Sequence, residues 1–171
     1  MLSYAARVAR AGILVVTVLS VAPRVSAAQS SFSVAAGASI PTGDFGKSRD
    51  VGYHALAAVE IRPPLAPLGL RIEGMFNEFE SSIVNTAATR VYGATGNGVI
   101  QFTPREGFYV IGGVGIYRVE RPGGDSNELG LNVGGGYRFP LTGFSAFVEG
   151  RYHTIQNTGA RFVPITFGIT F

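Results

Sequence analysis

From Phe32 onward, apolar and polar positions alternate along the chain with a period of two. The pattern is clearest in the last ten residues. Phe171, Ile169, Phe167, Ile165 and Val163 fall on one face of an extended segment, and Thr170, Gly168, Thr166 and Pro164 on the other. A strand sends successive side chains to opposite faces, so this segment has one apolar face and one small or polar face. Segments of about ten residues recur through the chain with turn residues between them, and no long helical periodicity interrupts them. Eight strands are predicted, near 31–40, 53–62, 68–79, 90–102, 108–119, 128–139, 144–153 and 162–171. Their connections alternate in length. Pro63–Pro67, Thr103–Gly107 and Pro140–Gly143 are short, whereas Pro41–Gly52, Glu80–Thr89, Glu120–Asn127 and Thr154–Arg161 are longer and more polar. An even number of strands leaves both termini at the short-turn end, where the first strand can pair with the last and close the sheet.

The two faces differ in charge. On the third strand Leu68, Leu70, Ile72, Gly74 and Phe76 alternate with Gly69, Arg71, Glu73, Met75 and Asn77. The seventh sets Phe144, Ala146, Val148, Gly150 and Tyr152 against Ser145, Phe147, Glu149, Arg151 and His153. The sixth sets Leu129, Leu131, Val133, Gly135, Tyr137 and Phe139 against Gly130, Asn132, Gly134, Gly136 and Arg138. The second sets Tyr53, Ala55, Ala57, Val59 and Ile61 against His54, Leu56, Ala58, Glu60 and Arg62. The fifth resists orientation, because Tyr109, Ile111 and Tyr117 oppose the equally apolar Phe108, Val110, Val114 and Ile116.

These faces predict an all-β chain: an eight-stranded, antiparallel, up-and-down transmembrane β-barrel. Lipid offers no hydrogen-bond partner to a free edge, so closure is required. An arginine facing hydrocarbon near the midplane costs roughly 2–4 kcal/mol, which turns the charged face inward. The interior of eight strands is just wide enough for side chains to fill. Glu60, Arg62, Arg71, Glu73, Arg138, Glu149 and Arg151 are therefore expected to form an ionic network in the lumen, bridged by Asn97, Gln101 and Asn132. Centring the hairpin on its turn sets Glu60 opposite Arg71. Removing one member of a buried pair should cost about 3–5 kcal/mol. The glycines of the central strands would relieve crowding on a tightly curved wall. Tyr53, Phe79, Tyr92, Phe102, Phe108, Tyr117, Phe139, Phe144, Tyr152, Phe162 and Phe171 lie near strand ends, where aromatic girdles are expected.

Residues 1–28 read as a cleavable signal peptide and 29–171 as a single barrel domain. Arg7 and Arg10 supply a positive start, Ala11 to Ala22 an apolar core, and Val25-Ser26-Ala27-Ala28 small residues at the cleavage site before Gln29. A membrane anchor would need roughly 20 apolar residues, and Pro23 and Arg24 interrupt the run too early. Arg7, Arg10 and Arg24 account for the whole excess of 14 Lys+Arg over 11 Asp+Glu, so the mature chain is formally neutral. Nucleic acid is therefore not an expected partner. The lack of cysteine excludes disulfides, thiol catalysis and a lipoprotein anchor. No further module is expected after Phe171.

These residues resemble the small eight-stranded outer-membrane barrels of diderm bacteria, the outer membrane protein A-type transmembrane domain and opacity-porin-like group. The likeness spans 29–171. It rests on the leader, on Gly37-Ala38-Ser39-Ile40-Pro41-Thr42-Gly43-Asp44-Phe45 after the first strand, on the Gly-rich central strands and on the terminal strand ending in Phe171. The resemblance implies export by the general secretory route to the outer membrane. It also implies outer-membrane lipid as surroundings, and assembly by the barrel assembly machinery, with Phe171 in the C-terminal strand as the assembly signal. A monomer is expected.

Candidate chemistry is sparse. Some outer-membrane barrels are lipid A deacylases with a His-x-Ser-Asn motif, but here His153 is followed two positions later by Ile155, so no hydroxyl is placed for the base. His153 and His54 are expected at the rim or in the lumen, and Glu149 with Arg151 as a structural pair. Gly93-Ala94-Thr95-Gly96-Asn97-Gly98 lies inside a strand, where it cannot cradle phosphate at a helix start. Asp44 and Asp50 share the first long loop with Lys47 and Arg49, too few oxygens for calcium. No catalytic, cofactor-binding or metal residues are assigned. The expectation is a non-enzymatic barrel with a structural or surface-loop interaction role. The alternatives are a narrow passive pore and a soluble lipocalin-like barrel with its apolar faces turned inward around a ligand.

Overall fold

In the computed structural model the described residues are 29–63, 67–82, 87–103, 106–121 and 123–171. Residues 1–28, where a signal peptide is expected, lie outside them. Eight strands follow in order: β1 (Gln29–Pro41), β2 (Gly52–Arg62), β3 (Leu68–Phe79), β4 (Thr89–Gln101), β5 (Gly107–Arg121), β6 (Gly124–Pro140), β7 (Ser145–Ile155) and β8 (Arg161–Thr170). One short helix, α1 (Gly43–Gly46), sits between β1 and β2. Each strand pairs antiparallel with the next, and β1 pairs with β8 to close the barrel. The closing seam runs from Ser33↔Thr170 to Pro41↔Phe162. Phe32 and Phe171 then exchange backbone hydrogen bonds of 3.1 and 2.8 Å beyond it. The strand-pairing capacity of both edges is thereby used within the chain.

Over the middle of β2, β3, β6 and β7 the charged face points inward, and the charges that face outward, such as Arg90, Arg118 and Arg161, lie near strand ends at the long-loop rim. Arg71, Glu73, Glu149 and Arg151 are buried, while their outward neighbours Ile72 and Tyr152 are 60% and 39% exposed. Leu68, Leu70, Val114, Ile116, Leu129, Leu131, Val133 and Phe167 continue the exposed apolar wall. This is the reverse of a lipocalin-type arrangement, which the structure excludes. β5, left open by its composition, turns Tyr109, Ile111, Tyr117 and Val119 inward. Its register decides this: Gly113 stands between the inward Asn97 and Asn132.

Three residues expected in the girdles are corrected. Phe79, Tyr117 and Phe162 are fully buried inside the barrel, because each shares strand parity with inward neighbours. The other residues expected in the girdles stay outside, and exposed rings gather in two groups. Tyr53, Phe76 and Tyr92 adjoin near the long-loop end, with centroids 5.9 and 5.2 Å apart. Phe108, Tyr137 and Phe139 adjoin near the short-turn end, at 4.8 and 4.7 Å. The expected loop 120–127 is also shorter than its composition suggested, since β5 and β6 stay paired out to Arg121↔Gly124.

Inward glycines make room for rings. A Cβ at Gly136 would stand 2.5 Å from the Tyr109 ring, and one at Gly130 would stand 2.7 Å from the Tyr117 ring. The Gly-rich strands thus accommodate aromatic side chains laid across them, which a curved wall of larger residues would exclude.

Candidate functional site

The lumen is filled in two tiers. The tier nearer the short turns is ionic. β2, β3 and β7 each place two charged residues two positions apart, which a strand sends to one face. Glu60 stands opposite Arg71 in the β2–β3 register. Arg71 Nη2 approaches Glu60 Oε2 at 3.3 Å, while its Nη1 crosses the lumen to Glu149 Oε2 at 2.8 Å. Arg151 returns the crossing: its Nη1 lies 2.7 Å from Glu73 Oε1, and its Nε 2.8 Å from Glu149 Oε1. Arg138 Nη2 and Arg62 Nη2 reach the two oxygens of Glu60, at 3.2 and 2.5 Å.

The chain Glu73–Arg151–Glu149–Arg71–Glu60–Arg138/Arg62 therefore ties β2, β3, β6 and β7 together through four guanidinium groups and three carboxylates. Arg71 and Glu149 are both 1% exposed as side chains. At that burial an isolated charge would be very costly, and mutual pairing with further hydrogen bonds offsets the loss of water. Tyr109 supplies such a bond, its hydroxyl donating to Glu149 Oε2 at 2.8 Å. The guanidinium groups of Arg71 and Arg138 each lie 5.6 Å from the centre of the same ring. Gln101 Oε1 accepts from Arg138 Nη1 at 3.2 Å and so joins the network. Asn97 and Asn132 do not bridge the charges. Asn132 Nδ2 donates to Asn97 Oδ1, and Asn97 Nδ2 to Thr95 Oγ1, both at 2.8 Å.

The tier nearer the long loops is apolar. Leu56, Met75, Phe79, Val91, Tyr117, Val119, Ile155, Ala160 and Phe162 form one buried cluster, with Phe45 of α1 packed on it. Both histidines sit in this tier, buried. His54 Nδ1 donates to Asn77 Oδ1 at 2.9 Å, which also accepts from Ser39 Oγ. His153 Nδ1 meets the Tyr117 hydroxyl at 3.0 Å, and its ring stacks on Phe162 at 5.0 Å. Ile155, which stands where a deacylase motif has its serine, belongs to the apolar cluster.

Above this tier the mouth holds a cavity of about 220 Å³, lined by Asp44, Phe45, Ser48, Arg49, Thr89, Val119, Arg121, Thr158, Gly159 and Ala160. Asp44 is engaged by Lys47 at 2.7 Å, and Asp50 accepts from Ser82. Sequence reasoning did not find this cavity, because four loops and strand ends distant along the chain meet there. The strand pattern does place Phe147 on the charged face of β7, and its ring lies 5.9 Å from the Arg71 guanidinium. It leaves Tyr109 unplaced, because β5 is apolar on both faces.

No family model matches the chain, and no curated protein matches it. Solved structures do. Neisserial surface protein A aligns with a TM-score of 0.63 at 16% identity, covering 84% of this chain and 97% of that one. This is the fold of the small eight-stranded outer-membrane barrels. The N-terminal β-barrel domain of Pseudomonas aeruginosa OprF aligns at 0.55, with 13% identity over 84% of this chain and 99% of that domain. The Yersinia pestis outer membrane protein Ail, solved in a phospholipid bilayer nanodisc, aligns at 0.53, with 12% identity over 84% and 100%. At these identities the likeness concerns the backbone of an outer-membrane barrel. What fills it here follows from this chain's own residues.

Proposed function

We propose that this chain is an integral outer-membrane barrel with a structural or loop-presenting role rather than a catalytic one. One observation carries the reading: the closed barrel turns its buried charges inward and a continuous apolar wall outward. In water such a wall would be a large exposed hydrophobic surface, and hydrocarbon removes that cost. The height of the wall supports the same reading. Tyr92 and Phe102 mark the two aromatic groups at either end of β4, about ten residues apart. At ~3.3 Å per residue and a strand tilt of ~40° they stand about 25 Å apart along the barrel axis, the thickness of the apolar band of such barrels.

Residues 1–28 would direct export by the general secretory route and be removed, leaving 29–171 as the barrel. Phe171 would then be read by the barrel assembly machinery, at the strand that closes the sheet. The long loops would face outward and carry any partner contacts. The ionic tier supports a closed lumen over a passive pore, because opening it would separate buried pairs that span the barrel.

Fractionation of the native producer tests this, combined with gel mobility of unboiled and boiled samples. The expected result is recovery in the outer-membrane fraction and a mobility that changes on boiling. Recovery in a soluble fraction without detergent would overturn the reading.

A further inference from the structure

The mouth cavity carries chemistry that a structural barrel does not need. Among the described residues, the rim cations divide into two sets. Lys47, Arg90 and Arg118 each hold a carboxylate, Asp44, Glu78 and Glu120 with Asp125 respectively. Arg49 and Arg121 have no carboxylate within salt-bridge distance among the described residues, and both line the cavity. Arg121 makes one long contact, its Nη1 donating to the Thr158 carbonyl at 3.4 Å. Arg161 also has no carboxylate within salt-bridge distance among the described residues, but it lies beside Gly43 and does not line the cavity.

A second, independent feature points the same way. Thr89 is 1% exposed, lines the cavity, and its Oγ1 has no hydrogen-bond partner among the described residues. A buried hydroxyl without a partner loses free energy unless something bonds to it. Around it Phe45, Val119 and Ala160 form an apolar lining, continuous with the cluster below. A charge-assisted hydrogen bond gains strength in such surroundings, because the local dielectric is lower than that of water. Guanidinium groups present paired donors in a plane, suited to the oxygens of a tetrahedral anion.

We propose that this cavity binds a phosphate or sulfate group, held by Arg49 and Arg121 and reached by the Thr89 hydroxyl. The lining residues Thr89, Val119 and Ala160 belong to strand ends and to the turn inside the barrel rim. A lipid headgroup at the outer perimeter does not face this space. The group is therefore carried by a soluble molecule arriving from the loop side. Asp44 also lines the cavity and opposes an anion, but Lys47 holds its carboxylate. The volume leaves room for the anion and for waters around it, since a liquid water takes about 30 Å³. The proposal rests on the membrane-barrel reading only for the side from which the ligand arrives.

Calorimetric titration of the folded full chain in maltoside micelles and phosphate-free buffer tests it. The probes are inorganic phosphate, inorganic sulfate and glucose 6-phosphate, with phosphatidic acid doped into the micelles as the lipid arm. Expected are saturable binding of the soluble probes and about tenfold weaker binding in Arg49→Gln and Arg121→Gln, the effect of losing one hydrogen bond to a charged group. Thr89→Val should weaken it with no change of charge, Asp44→Asn should tighten it, and Arg118→Gln should leave it unchanged. Gel mobility of the same samples reports folding, and Asp44→Asn reads in the opposite direction from any loss of fold. No binding of any soluble probe to the folded chain would overturn the proposal. So would unaltered binding in the Arg49→Gln/Arg121→Gln double variant, or displacement of the soluble probes by phosphatidic acid. Micelle titration reads the cavity alone, so its failure is distinct from a failed fractionation.

Discussion

The two tiers of the lumen fill the same cylinder by opposite means. Below, seven charged side chains meet in a network whose members depend on each other's positions. Above, Phe79, Tyr117, Phe162 and their neighbours fill space by contact, with each histidine held by one hydrogen bond. The difference is one of tolerance. An apolar cluster loses free energy roughly in proportion to the volume removed. A buried ion network loses more when a single member goes, because the partners stay charged and dry. The ionic tier also links strands that are not neighbours in the sheet, β3 with β7, so it braces the barrel across its diameter. The apolar tier sits under the loops and carries the mouth cavity on its upper surface.

Four substitutions separate the tiers, and urea unfolding of the folded barrel in micelles measures each. Glu149→Gln has the largest expected effect, about 3–5 kcal/mol, because both Arg71 and Arg151 lose a carboxylate at once. A loss below about 1 kcal/mol would mean that the tier is hydrated and screened, in the manner of a surface pair. Gly136→Val should cost about 2–3 kcal/mol through overpacking against the Tyr109 ring, and so disturb the ionic tier without touching a charge. Phe162→Leu removes part of a ring from the upper tier and should cost about 1–1.5 kcal/mol. Arg118→Gln breaks exposed, water-screened pairs at the rim and should have the smallest effect, leaving the unfolding midpoint unchanged. Equal effects from Glu149→Gln and Phe162→Leu would erase the contrast.

Much of the barrel is written locally. Arg71, Glu73, Glu149 and Arg151 mark one face of their strands, and their apolar neighbours mark the other, so parity alone orients β3 and β7. The Glu60–Arg71 pair follows from a hairpin centred on its turn. Beyond the hairpin, legibility fades. β5 carries apolar residues on both faces, and only its register against Asn97 and Asn132 settles which side is inside. Phe79, Tyr117 and Phe162 lie near strand ends as girdle residues do, but parity, not height, decides that they face inward. The crossings Arg71 to Glu149 and Arg151 to Glu73 depend on barrel curvature and side-chain reach across the lumen, neither of which a strand pattern encodes. The mouth cavity is less legible still, since Arg49, Thr89, Arg121 and Thr158 meet only when the sheet has closed.

Site-directed spin labelling gives the most direct test of the orientation on which all of this stands. The chain has no cysteine, so single cysteines at Ile72, Val114 and Leu131 can be labelled without background. In barrels reconstituted into bilayers, these outward positions should relax strongly with oxygen, which concentrates in hydrocarbon, and weakly with a water-soluble nickel chelate. Labels at all three sites that respond to the chelate and not to oxygen would place the apolar wall in water and contradict the account.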